Sequence, residues 1–396
     1  MNYNQRSYEL GSKRSVIREL FEYGKKRKAE IGAENVFDFS LGNPSVKPPK
    51  IVEDTLKDLL MNNDAMSLHG YTSAQGDLAT RTAVAKSLDK LCNFAVSPDL
   101  IYMTCGAAAS LTISLKALVN DGDECVVFAP FFTEYSVFIT NAGAKVIISA
   151  PNKETFQIDF NDLDKKLTDK TKAVIINSPN NPSGVLYTAE TIEKLSDILR
   201  EKSKQFGHTI YLISDEPYRE LVYNGEKIPF VMNYYENSVV CYSYSKSLSL
   251  PGERIGYIAV SPKCDNSALI YNAVCGAGRS LGFVCAPSLF QKLIAKCADV
   301  SVDTAPYKEN RDILYNNLTD FGFKCVKPDG AFYLLAYCFG DDANSFCEKA
   351  KKHELLLVPC DDFGIKGYVR IAYCVSKNTI VNSLPAFKKL AEEYRK

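Results

Sequence analysis

The 396-residue chain contains no tryptophan and only three histidines, His69, His208 and His353. No two of these stand at ligand spacing from one another, so a zinc or iron centre is not expected. Net charge is also missing: 47 Lys and Arg balance 47 Asp and Glu, which leaves no electrostatic reason to expect a nucleic acid as partner. No apolar run approaches the roughly 18 residues that a membrane helix requires. The opening stretch MNYNQRSYELGSKRSVIREL has no apolar signal core. Thirteen cysteines are present, but no Cys-x-x-Cys pair is among them. Odd in number, dispersed, and often set in apolar stretches such as ECVVFAP and GFKCVKP, they read as reduced core residues of a cytoplasmic protein.

What is there is ordinary globular material, 46% apolar and 24% charged. The length exceeds one compact core, so a large domain with a smaller one is expected. Strand-like runs recur at 100–104, 124–129, 144–149, 172–177, 209–214, 238–243 and 254–261. Several are continuous β-branched hydrophobics, the pattern of strands covered on both faces. Between some of them lie helical patterns. Thr188 can cap a helix that carries Glu190 in its first turn and buries Ile192, Leu195, Ile198 and Leu199 as a stripe. The expected fold is therefore α/β: a mostly parallel seven-stranded sheet covered by helices. The last third passes from helix to strands around KPDG and is expected to form a smaller α+β unit.

Chemistry-bearing residues follow the strand-like runs. Asn181 comes just after AVIIN, Asp215 and Tyr218 after TIYLIS, Ser243 and Lys246 after SVVCY, and Gly106 after LIYMT. Each alone has a bland reading: an Asp after a strand is usually a cap, and a Lys in a polar loop is usually solvated. In a parallel sheet, however, ligands bind beyond the carboxyl ends of the strands, and all of these fall on that rim. A helix starting at Ala107 and Ala108 after the Gly106 turn would offer free N–H groups to a phosphate. Ser243 adds a hydroxyl, and Arg254 a guanidinium able to hold the phosphate in bidentate fashion. A lysine for an aldehyde and a carboxylate for a ring nitrogen complete the specification of pyridoxal phosphate. Asn181 and Tyr218 could then bond the ring's phenolic oxygen, and Phe132 could stack on the ring face.

Read together, SPNNPSG (178–184), ISDEPY (213–218), SYSKSLSLPGERIGY (243–257) and GYVRIAY (367–373) resemble the class I/II aminotransferases of the aspartate-aminotransferase type, fold type I among pyridoxal-phosphate enzymes. LGNPSVKPP, GYTSAQGDLATRTAVA, TCGAAASL and PDGAFYL extend the resemblance over nearly the whole chain. It implies Lys246 as the Schiff-base lysine, Arg370 as the clamp for the substrate α-carboxylate, and Gly42 beside the substrate. It further implies that Tyr71 reaches the cofactor phosphate of the other subunit of a homodimer. The implied cofactor-bearing domain spans 48–289, and the small domain is assembled from 1–47 and 290–396. The implied activity exchanges an amino group between α-amino acids and 2-oxo acids, with glutamate and 2-oxoglutarate as one pair. A β-lyase or decarboxylase on the same scaffold is the alternative.

The chain departs from that family's pattern in places. Phe132 and Glu253 stand where many relatives have bulkier aromatic residues, and Ala107 and Ala108 replace side chains that often touch the phosphate. Arg279 is the candidate reader of a distal carboxylate. It lies in GAGRSLG (276–282), which superficially resembles a dinucleotide-binding loop but follows a helix-like segment rather than a strand.

Overall fold

All seven strand-like runs form strands of a single sheet in a computed structural model of the chain, which describes residues 3–12, 16–223, 225 and 227–395. The strands are β1 (Ile101–Thr104), β2 (Glu124–Phe128), β3 (Lys145–Ser149), β4 (Thr171–Asn177), β5 (Tyr211–Asp215), β6 (Ser238–Ser243) and β7 (Gly256–Val260). Their spatial order is β1-β7-β6-β5-β4-β2-β3. Every pairing is parallel except those of β7, which runs antiparallel to both β1 and β6. The continuous hydrophobicity of the runs has a direct cause, because alternate side chains enter different cores. Val126, Val174, Leu212 and Val240 join one apolar cluster, while Cys125, Val127, Ile175, Ile213 and Cys241 join another. A strand that must bury both faces cannot alternate with polar residues.

Helices cover the two faces. On one, α1 (Ala107–Leu118) buries Leu111, Ile113 and Leu115. On the other, α2 (Ala189–Phe206) packs through Ile192, Leu195 and Leu199, with Ile198 half-buried. Thr188 caps α2 by accepting from Thr191 N, and Gly207 closes it in the left-handed conformation. Each fully buried aliphatic side chain of this kind contributes about 1.5–3 kcal/mol. The glycine-rich stretch 276–282 is largely helical: α3 (Ser267–Ser280) runs through Gly276 and Gly278 and packs Val274 and Ala277 against the sheet. It forms no phosphate-binding loop.

The later part of the chain builds a four-stranded antiparallel sheet of β8 (Cys325–Val326), β9 (Tyr333–Tyr337), β10 (Val358–Pro359) and β11 (Tyr368–Ala372), ordered β10-β11-β9-β8. The helix Ala305–Asp320 precedes it. Phe37–Asp38 pairs in parallel with Leu355–Leu356, which ties the segment leading to Gly42 to this part of the fold. Among the described residues no helix is long and apolar enough to cross a membrane.

Candidate active site

The carboxyl ends of β4, β5 and β6 and the start of α1 meet the small sheet at a cavity of about 330 Å³. Asp215 closes β5, and Lys246 lies in the helical turn Tyr244–Ser247 that follows β6. Asn181 lies beyond β4, and Arg370 reaches the same cavity from β11. Gly42, Ala107, Ala108, Phe132, Tyr218, Ser243 and Arg254 complete the expected set that lines it. Two of the expected residues do not line it: Gly106, which immediately precedes Ala107, and Tyr71, which is 99% exposed and takes no part in the cavity of its own chain.

Asp215 is buried, with its two oxygens in different circumstances. Oδ2 accepts a short hydrogen bond from Tyr135, which the helix Glu134–Asn141 presents after β2. Oδ1 is buried with no hydrogen-bond partner among the described residues. Burial pushes the carboxyl up to about 7, against the opposing pull of the Tyr135 hydrogen bond. A cationic N–H at Oδ1 would satisfy the free oxygen and restore the charge. Asn177, in register with Asp215 across β4 and β5, donates to the Asp215 carbonyl at 2.8 Å. Its own side-chain oxygen accepts from Asn181 N at 2.7 Å, so one residue braces two others.

Lys246 Nζ donates to the Gly42 carbonyl at 2.7 Å. Burial lowers the amine to about 8, and Arg254 and Arg370 push the same way against Cys374. An amine at this level exists partly as the free base near neutrality, the form that attacks a carbonyl or takes a proton.

The far end of the cavity suits an anion. Gly106 precedes α1 at φ 87°, a conformation open to glycine, and an added Cβ there would stand 2.8 Å from Arg254 Nη2. The helix therefore begins with the N–H groups of Ala107 and Ala108 beside a guanidinium. Ser243 Oγ and Ser245 Oγ lie 2.8 Å apart, and Arg254 Nη1 donates to Ser245 Oγ at 3.4 Å and to Pro251 O at 2.8 Å. Backbone N–H groups, two hydroxyls and a guanidinium make a cradle that fits a phosphate.

Arg370 is 2% exposed. It donates through Nη1 to Asn181 Oδ1 at 3.2 Å and through Nη2 to Ser40 O at 2.6 Å, while Nε has no partner among the described residues. Its guanidinium lies 4.7 Å from the Tyr333 ring centroid and 5.4 Å from that of Phe363. This is a cation fixed in plane, with donor capacity left for a carboxylate. Arg279, by contrast, lies on α3 and does not line the cavity.

Sequence reading passed over Tyr135, Asn177, Ser245 and Tyr333. A signal existed for two of them: Asn177 ends a strand on the same rim, and Ser245 is next to Lys246. Tyr135 and Tyr333 are two of 23 tyrosines, and only three-dimensional proximity separates them from the packed ones.

Residues 34–386 match the family described as aminotransferase class I and II. The aspartate aminotransferase of Thermotoga maritima is 32% identical over 373 residues, covering 93% of this chain and 95% of that protein. A (5-formylfuran-3-yl)methyl phosphate transaminase of Methanocaldococcus jannaschii is 29% identical, covering 92% of this chain and 93% of its own. Among solved structures, an amino transferase from Eubacterium rectale matches with a TM-score of 0.98 at 56% identity, covering 100% of both chains. The Thermotoga maritima aspartate aminotransferase structure matches at 0.85 and 28% identity, covering 98% of this chain and 99% of that one.

Proposed function

The chain belongs to the class I and II aminotransferases, and we propose that it moves an amino group between an α-amino acid and a 2-oxo acid with pyridoxal phosphate held in this cavity. Glutamate and 2-oxoglutarate form one substrate pair in this reading. The observation that carries it is the buried Oδ1 of Asp215, without a hydrogen-bond partner among the described residues, on a side chain that lines the same cavity as Lys246 and Arg370.

Ala107, Ala108, Ser243 and Arg254 would hold the phosphate, with Gly106 giving the turn, and Asp215 would keep the ring nitrogen protonated. Asn181 and Tyr218 would offer hydrogen bonds to the ring oxygen, and Phe132, which meets Tyr135 edge-on, would offer its ring for stacking. When bound, the cofactor supplies an electron sink for the pair left behind as the substrate loses its α-hydrogen. The chain's own residues do the rest. Arg370 would bind the α-carboxylate and so fix how the substrate's α-carbon is presented in the cavity. Lys246, which burial keeps partly as the free amine, would hold the cofactor through its aldehyde and, once free, would take up and return the proton at the substrate's α-carbon. We further propose that the enzyme works as a cytoplasmic homodimer in which Tyr71, wholly exposed on its own chain, reaches the partner's phosphate. Residues 48–289 form the cofactor-bearing domain in this reading, and 1–47 with 290–396 the smaller one.

The test is a panel of amino donors with 2-oxoglutarate, scored for product amino acid and for ammonia. The panel includes apolar donors as well as aspartate, because Ile17 and Leu41 also line the cavity. Glutamate formed in step with donor consumption is expected. Ammonia or pyruvate without it would point to a lyase. Arg279→Ala in the same panel decides whether that arginine, contributed from a partner subunit, reads a distal carboxylate. An unchanged dicarboxylate preference would remove it from consideration.

Arg370→Lys keeps the charge and loses the planar fork. Losing one charge-assisted hydrogen bond costs about 1.5–3 kcal/mol, so kcat/KM should fall roughly 10- to 150-fold, with KM raised steeply and kcat lowered. Steady-state kinetics would show it, and a KM unchanged for every amino donor would remove Arg370 from carboxylate binding.

A further inference from the structure

The hydroxyls of Tyr218 and Tyr333 lie 3.0 Å apart in the cavity wall, although they come from different parts of the fold. Tyr218 follows β5, which ends in Asp215. Tyr333 opens β9, which pairs directly with the strand carrying Arg370. Both side chains are buried, and their rings meet edge to face at 5.7 Å and 85°. The Tyr333 hydroxyl also presses on the chain at Gly42, where an added Cβ would come within 1.9 Å of it. Its ring carries the Arg370 guanidinium at 4.7 Å. One phenol thus touches Tyr218 with its polar end and the carboxylate clamp with its face.

Two hydroxyls in contact share one hydrogen bond. The accepting residue keeps its own O–H free for a third group. Burial pushes Tyr333 up to about 12 and Tyr218 well above the ordinary phenol value, so both carry their protons at neutral pH. For Tyr218 to donate to a ligand, Tyr333 must be the donor within the pair.

We propose that Tyr333 is a positioning residue of the transamination site: its hydroxyl donates to Tyr218, turning the Tyr218 O–H toward the cofactor's ring oxygen, while its ring holds the Arg370 guanidinium in the plane that receives the substrate carboxylate. This rests on the pyridoxal-phosphate reading above. A hydrogen bond received by Tyr218 polarises its own O–H and makes it the stronger donor, by about 10–30% in the usual estimate. An O–H given to the ring oxygen occupies the electron pair that otherwise helps retain the proton on the Lys246 linkage. Tyr333 therefore lowers the pH at which that proton leaves.

Tyr333→Phe removes the hydroxyl and keeps the ring beneath Arg370. In the holoenzyme, the pH midpoint of the visible absorbance band should rise by about half to one unit. In the same variant kcat should fall roughly tenfold and KM for the amino acid stay within about twofold. Tyr218→Phe should raise the midpoint at least as far, and the double variant should go no further than Tyr218→Phe alone, because the two groups act in series. Placing 3-fluorotyrosine at position 333, a more acidic phenol and stronger donor, should move the midpoint down. A midpoint that moves in Tyr218→Phe but in neither Tyr333 variant would overturn the proposal and leave the cofactor reading intact. If no tyrosine variant moves it and borohydride fixes no cofactor on Lys246, the cofactor reading itself fails.

Discussion

Lys246→Ala should abolish amino transfer, lowering turnover by roughly 10⁴-fold or more, because the variant loses both the nucleophile and the proton carrier. The purified wild-type protein should show a visible absorbance band, and borohydride should fix the cofactor covalently to this one residue. Cofactor found on another lysine would overturn the assignment. The amine's depressed level adds a pH test. A lysine near 10.5 has almost no free base at pH 7, whereas one near 8 has about a tenth. Capture of added cofactor by the cofactor-free protein should therefore accelerate with rising pH and level off above about 8. The sign follows from burial, which disfavours the ammonium form, reinforced by Arg254 and Arg370. Binding without catalysis should survive in Lys246→Ala, because Asp215, Ser243 and Arg254 remain in place.

The large sheet was legible in the sequence because most of its strands bury both faces, the edge strand Lys145–Ser149 excepted, which turns a weak alternation signal into an apolar run that is hard to mistake. The rim residues were legible for a related reason: strand ends mark where the carboxyl edge lies, and Asn181, Asp215 and Lys246 each follow one. The small sheet was less so. Cys325–Val326 and Val358–Pro359 are only two residues long, too short for any period to show. Among site residues, those that act through another side chain were hidden. Tyr135 stands 80 positions from the carboxylate it bonds, and Tyr333 115 positions from Tyr218. A buried hydroxyl in a helix or strand has no local pattern that separates it from a packed tyrosine, so its partner must be known first. Arg370 shows the same limit from the other side. As a residue it is a β-strand arginine, and its burial against Tyr333 and Phe363, with an Nε that has no partner among the described residues, is what sets it apart.

Asp215→Asn should leave the fold in place and reduce kcat by about 10³-fold. Asparagine fills the same space, its carbonyl can still accept from Tyr135, and its amide can occupy the position of Oδ1, so the thermal midpoint should move by only a few degrees. What disappears is the negative charge. Only an ionised carboxylate keeps a ring nitrogen protonated, and only a protonated ring takes up the electron pair released at the substrate's α-carbon. The structure also sets the sign of the pH effect. Burial places the lone Asp215 carboxyl near 7, so the cofactor-free protein holds a proton there below that pH. A cationic nitrogen at Oδ1 favours the ionised form and drives the value down. Proton release on cofactor binding should therefore be larger below pH 7 than above it in the wild type, and this difference should vanish in Asp215→Asn. Tyr135→Phe separates geometry from charge. It removes the hydrogen bond that opposes the effect of burial, which should raise the Asp215 value further and slow turnover by about tenfold while the carboxylate still ionises in the complex. Steady-state kinetics and calorimetric proton counts in two buffers would measure both effects. Activity of Asp215→Asn within a few-fold of wild type would show that this carboxylate does not face the reacting ring.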